Sequence, residues 1–190
     1  MRSRKTEPRG GAPRPRRSTG TSRPAAGLSP YRQKRDFLLT PEPAGATGPR
    51  AGRPHLYLIQ RHQASHLHFD LRLQRGSVLK SWAIPKTPPG KTGDKRLAVE
   101  TEDHPLDYAG FEGTIPEGQY GAGTVRVWDR GTYEPLDWQA SKVVIDIRGR
   151  RLKGGYALVR LRPKEGEKAK NWLFFKIKDK GTQPGRKGKS

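Results

Sequence analysis

Along HLHFDLRL (66–73) polar and apolar side chains alternate without a break. On an extended chain His66, His68, Asp70 and Arg72 fall on one face, and Leu67, Phe69, Leu71 and Leu73 on the other. HLYLIQ, from residue 55, begins another strand. Short strand patterns follow at 77–84 (SVLKSWAI), 96–101 (RLAVET), 124–128 (TVRVW), 142–147 (KVVIDI), 156–161 (YALVRL) and 172–177 (WLFFKI). Turn signals stand between them in QRG, PPGKTGD, DRG, RGR and KGG. No stretch sustains three turns of helical periodicity. The pattern predicts a mostly β fold, a compact closed β-barrel of about eight strands with little helix, in preference to a sandwich.

The flanks break this pattern. Residues 1–27 are Arg, Pro, Gly, Ser and Thr with almost nothing apolar, and carry eight Lys/Arg against one acid. Such a segment cannot bury enough surface to offset the entropy of ordering. We read 1–27 as a disordered basic tail, 28–179 as the folded domain, and 180–190, with four more positive charges, as a basic C-terminal tail. Residues 41–54 (PEPAGATGPRAGRP) read as a Pro/Gly linker or long loop.

The net charge of +21 changes the picture, because the body alone has 27 Lys/Arg against 17 acids. That excess points to a polyanion, either nucleic acid or an anionic membrane surface. No apolar run approaches the roughly 18–20 residues that span a bilayer, and no apolar segment of a secretory signal follows the basic N-terminus. With no cysteine, disulfides and thiolate metal sites are excluded, so any metal needs His, Asp or Glu. A cytoplasmic location fits.

Four of the five histidines lie between 55 and 68, with an aspartate at 70. His68 and Asp70 share a strand face, about 7 Å apart along the backbone, and could ligate one ion, with His62 or His66 as a third ligand. Imidazole plus carboxylate suits Mn²⁺, Zn²⁺ or Fe²⁺. The plain alternative is the solvated outer face of an amphipathic strand. A second cluster is EDHPLDYAGFEG (102–113): residues 101–120 hold five acids and no Lys or Arg, around His104, Asp107 and Tyr108. Carboxylates nearby favour an imidazolium at His104, able to donate a proton to a leaving oxygen or grip a phosphoryl oxygen; the alternative is a solvated acidic turn. The glycines of GTIPEGQYGAGTV (113–125) fit no nucleotide-loop pattern and read as tight turns between strands.

The runs QRHQASHLHFDLRL (60–73), LKSWAIPK (79–86), KRLAVETEDHPLDYAGFEGTIPEGQYGAG (95–123) and VWDRGTY (127–133) resemble the 3′-phosphoesterase domain of bacterial DNA ligase D, and YRQKRDF with TPEP (31–43) resembles that family's opening segment. The likeness covers about 31–178. It implies a compact barrel with a Mn²⁺-dependent hydrolase activity on DNA 3′ ends in repair by non-homologous end joining: removal of a terminal ribonucleoside, then of the 3′-phosphate left behind. By matching residue it puts metal ligands at His62, His68 and Asp70, with His66 outside the set. Catalytic phosphate contacts fall at Arg72, His104 and Tyr108, and supporting substrate-binding positions at Arg35, Asp36, Gln60, Lys86, Arg96 and Glu102. No polymerase or ligase module accompanies these residues, so a stand-alone form is expected, nucleoid-associated in the cytoplasm, with separate ligase, polymerase or Ku-type end-joining proteins as candidate partners and no membrane.

Two readings from other classes compete. A basic barrel could grip nucleic-acid ends without catalysis, using Trp82, Trp128 or Trp172 as stacking platforms, although core packing is the commoner use of strand tryptophans. A metal could also simply stabilise a scaffold, which requires a closed four-ligand site.

Overall fold

The structure is a computed structural model that describes residues 27–45, 54–163, 165–166 and 170–178. Of the segments read as tails only Gly27 is described, and residues 46–53 of the expected 41–54 linker also lie outside the described residues.

All eight expected strands form. They are β1 (His55–Gln63), β2 (Leu67–Arg75), β3 (Val78–Ile84), β4 (Lys95–Glu100), β7 (Gly123–Trp138), β8 (Lys142–Gly149), β9 (Lys153–Arg160) and β10 (Asn171–Lys176). Two short strands, β5 (His104–Pro105) and β6 (Gly113–Ile115), a helical turn α1 (Ser29–Gln33) and a 3₁₀ turn (Leu106–Gly110) complete the described elements. The eight long strands close an antiparallel barrel in the order β1-β2-β3-β4-β10-β9-β8-β7, with β7 returning to β1. Closure leaves no free edge among these strands.

The two faces of β2 serve different cores. Phe69, Leu71 and Leu73 point into the barrel and pack with Tyr57, Ile59, Trp82, Ile84, Ile145, Ile147, Leu158 and Phe174. On the outside, Leu58 of β1 and Leu79 of β3 pack under Leu28 and Tyr31 from α1, Tyr108 and Phe111 from the 3₁₀ turn, and Ile115 of β6. These segments roof the outer wall over β1–β3. The polar face of β2 is consequently buried at Asp70 and Arg72 rather than solvated. Trp82 and Trp172 are interior, and Trp128 is partly buried against the same core, so none of the three is an open stacking platform.

Two turn signals prove to lie inside strands. DRG (129–131) sits within the sixteen-residue β7, and KGG (153–155) begins β9. Gly131 is needed for close approach: a Cβ there would collide with the carbonyl of Arg148 on β8. Register shifts at Ile59/Gln60 and Pro135/Asp137 let β7 bend through Gly131 and Pro135 and remain paired. The first residues of the expected linker are also packed: Glu42 is buried, the Pro43 carbonyl accepts from Tyr31 Oη at 2.7 Å, and Gly45, at φ +85°, leaves no room for a Cβ beside Pro105.

Candidate active site

Pairing of β1 with β2 sets His62 opposite His68 and Gln60 opposite Asp70, all on the roofed outer face. The two imidazole rings lie 4.6 Å apart. His62 Nε2 lies 2.9 Å from the Gly121 carbonyl, and His68 Nδ1 lies 3.0 Å from the His66 carbonyl. Each contact places the ring's proton on that nitrogen, because a carbonyl can only accept. The remaining nitrogens, His62 Nδ1 and His68 Nε2, which carry the lone pair whenever the ring is neutral, face Asp70 Oδ2 at 3.6 Å and Oδ1 at 3.7 Å. One atom from each of His62, His68 and Asp70 falls within 4.8 Å of the others. Donors sharing one ion through bonds of about 2.1 Å stand roughly 3–4 Å apart, as the 3.6 and 3.7 Å contacts do, and a carbonyl behind each histidine is the usual device for fixing a ligand's tautomer. The donor set fits a divalent cation. His66 is exposed, and its carbonyl is what it contributes here.

Arg72, two residues on, is 2% exposed and tightly held. Its Nε donates to Gln60 Oε1 at 2.7 Å, Nη1 to Ser81 Oγ at 2.9 Å and Nη2 to Asp70 Oδ2 at 3.2 Å, while the guanidinium lies 4.5 Å over the Tyr108 ring. Gln60 is fixed in turn by donating to the Phe111 carbonyl at 2.8 Å. Those three bonds leave two of the five guanidinium N–H groups. Burial alone would push the Asp70 carboxyl up; the Arg72 guanidinium beside it counters this foremost, and the group is held below the usual carboxylate range.

His104 overturns one expectation. Along the chain it sits among acids, yet in space it is buried between the Tyr31 and Tyr108 rings, with Arg35 Nη2 3.4 Å from its Nε2. Its Nδ1 lies 2.9 Å from the Glu102 carbonyl. Burial, then Arg72 and Arg35, hold its pKa well below the usual 6.5, so the free protein carries a neutral imidazole and not an imidazolium. The acids nearby are already engaged: Glu102 accepts from Lys34 Nζ at 3.0 Å and Arg35 Nη1 at 3.2 Å, and Lys80 pairs with Asp103 at 2.8 Å.

These side chains line a pocket of about 290 Å³. It brings together His62, His68, Asp70, Arg72, His104, Tyr108, Arg35 and Glu102. Gln60 supports it from behind through Arg72. Asp36 lies outside it, exposed, with its side chain accepting from the Leu38 amide in a turn. Lys86 and Arg96 also lie elsewhere, in a second pocket with Lys95 and Leu97. The glycine-rich run is a turn, with Gly118 and Gly121 at positive φ, and it also supplies Tyr120 and the Gly121 carbonyl to the pocket wall.

Sequence reasoning missed Glu42, Ser81, Lys34 and Tyr120. Glu42 receives Arg35 Nε at 2.8 Å and Thr40 Oγ1 at 3.0 Å. An acid in a basic segment just beyond an Arg-Asp pair was its signal, masked by the prolines around it. Ser81 could have been found by registering β3 against β2, where it stands opposite Arg72.

Fold and pocket together define a small β-barrel domain with a His–His–Asp cluster and buried guanidiniums on its outer wall, a site built to face an anion. The chain belongs to the DNA ligase D 3′-phosphoesterase domain family, whose profile matches residues 60–160. It is 43% identical over 160 residues to the multifunctional non-homologous end joining protein LigD of Mycobacterium bovis and 47% identical over 161 residues to that of Pseudomonas aeruginosa. Those matches cover 82% and 80% of this chain but only 20% and 19% of the relatives, so the chain spans about a fifth of their length. No helix among the described residues is long and apolar enough to cross a membrane.

Proposed function

We propose that the protein is a Mn²⁺-dependent phosphoesterase that trims DNA 3′ ends during end joining, removing a terminal ribonucleoside and then the remaining 3′-phosphate. The observation that carries this reading is the convergence of His62, His68 and Asp70, with one nitrogen of each ring facing a carboxylate oxygen beside Arg72. Held by these three side chains, the ion would supply Lewis acidity toward a phosphoryl oxygen or a more acidic bound water. Arg72 turns its remaining N–H groups to the phosphate and stabilises charge that builds in the transition state. Its three protein bonds and the Tyr108 ring keep it in place before substrate arrives. Arg35, braced by Glu42 and Glu102, offers the second guanidinium. His104 begins neutral. An incoming phosphate offsets the two guanidiniums and shifts the imidazole toward its charged form, ready to donate to the departing oxygen. Lys86 and Arg96 extend the basic surface toward the rest of the strand, and a separate ligase, polymerase or Ku-type protein would act on the trimmed end.

A pure binder has no use for converging ligands, and a structural metal site needs four; among the described residues three gather. The test is to incubate the protein with primer-templates ending in a 3′-phosphate or a 3′-ribonucleotide, with and without Mn²⁺, and resolve the products. Mn²⁺-dependent conversion to a 3′-hydroxyl is expected, and unchanged ends under all conditions would refute the reading.

A further inference from the structure

Arg61 and Arg126 face each other directly across the β1–β7 seam, both exposed. Neighbouring strands run about 4.8 Å apart, and like charges directly opposite are destabilising in a sheet. Arg61 donates to Gln63 Oε1 at 3.0 Å, and among the described residues neither arginine forms an ion pair. The pair flanks the candidate site by one residue on each strand, because His62 stands opposite Val125 in the same seam. Alternation turns Arg61 and Arg126 to the other side of the sheet from His62, toward the barrel end where the β8–β9 turn lies. There Arg150 and Arg151 are also exposed, with their backbone amides tied to Asp129 at 2.9 and 3.0 Å. Arg151 additionally lies 4.9 Å over the Trp128 ring.

We infer that the Arg61–Arg126 pair at this barrel end binds the phosphodiester backbone of the DNA whose 3′ terminus occupies the pocket. A self-repelling pair beside a site that faces an anion is relieved by a phosphate lying between the two guanidiniums, and each fork matches the phosphate oxygens. The pair carries affinity and register rather than chemistry, since backbone contacts position a nucleic acid. This surface rests on the reading of the pocket as a DNA 3′-end site.

The test measures the dissociation constant of a fluorescein-labelled duplex with a 3′-phosphate at several salt concentrations, for the full chain and for Arg61→Ala, Arg126→Ala, the double variant and Arg162→Ala. Arg162 is exposed beyond the far end of β9 and serves as the control. Each lost phosphate contact should flatten the slope of log affinity against log salt by roughly 0.9. The two guanidiniums share one phosphate, so about one unit is expected for the double variant and a part of it for each single variant, with Arg162→Ala at the wild-type slope. An unchanged slope in the double variant, or the same flattening from Arg162→Ala, overturns the proposal. The binding arm needs no turnover. Parallel hydrolysis assays by the wild type report on the pocket separately, so a protein that binds through the pair but leaves the 3′-phosphate intact would refute the phosphoesterase reading and not this surface.

Discussion

Arg72 Nη2 donates to Asp70 Oδ2 at 3.2 Å, so the carboxylate that faces two histidines is also anchored to the guanidinium lining the same pocket. The His–His–Asp cluster and the buried guanidinium are joined through one buried contact on β2. A cation and a phosphate bound there would be held at a set separation by adjacent side chains of a single strand face.

Arg72→Lys keeps a positive charge but cannot serve Gln60, Ser81 and Asp70 at once from a fork. The variant should remain folded, bind Mn²⁺ near stoichiometrically and turn over a 3′-phosphate roughly 100-fold more slowly, the scale of losing one transition-state donor. Single-turnover rates beside metal content check this. A native rate would remove Arg72 from the chemistry.

His104 gives the free protein a pH signature. Its folded pKa lies below the unfolded value of about 6.5. A group depressed in this way contributes stability in full above the unfolded pKa and loses it as pH falls through the folded one. Melting temperature should fall as pH drops below about 6.5, by at most the equivalent of about 1.4 kcal/mol per pH unit from this one proton. His104→Gln should show a shallower dependence over that window. Thermal melts of both proteins from pH 7.5 downward decide the matter, and parallel curves would assign the dependence elsewhere.

Asp129 is a structural hub remote from the chemistry. Its buried carboxylate accepts from Tyr57 Oη at 3.0 Å and from the amides of Arg130, Arg150, Arg151 and Leu152 at 2.9–3.0 Å. Asp129→Ala orphans several of these donors at once and should cost more than about 3 kcal/mol. Denaturant melts measure the loss. The metal-bound turnover of whatever fraction stays folded should be close to native.

Much of the fold was legible because strand alternation has a period of two, and 66–73 obeys it without exception. The length of β7 was not. Gly131 and Pro135 look like breakers, and only the β8 carbonyl pressed against Gly131 and the neighbouring register shift show why the strand continues. At the site, candidate ligands clustered along the chain could be read, whereas partners brought in from afar could not. Glu42 meets Arg35 across a turn and Ser81 meets Arg72 across a hairpin. His104 shows the limit most clearly: acids surround it in sequence, but the charges that set its protonation are Arg72 and Arg35, 32 and 69 residues away. The residues that determine its state belong to other elements of the fold.

If His62, His68 and Asp70 hold the metal, His66 serves only through its carbonyl. The most direct measurement is Mn²⁺ content per folded chain, paired with single-turnover hydrolysis of a 3′-phosphate end, for alanine variants at these four positions. A three-ligand site has no spare ligand. His62→Ala, His68→Ala and Asp70→Ala should each lose metal and hydrolysis together, while His66→Ala, which retains the carbonyl facing His68, keeps both near native. Loss of metal from His66→Ala with retention in His62→Ala would contradict the account.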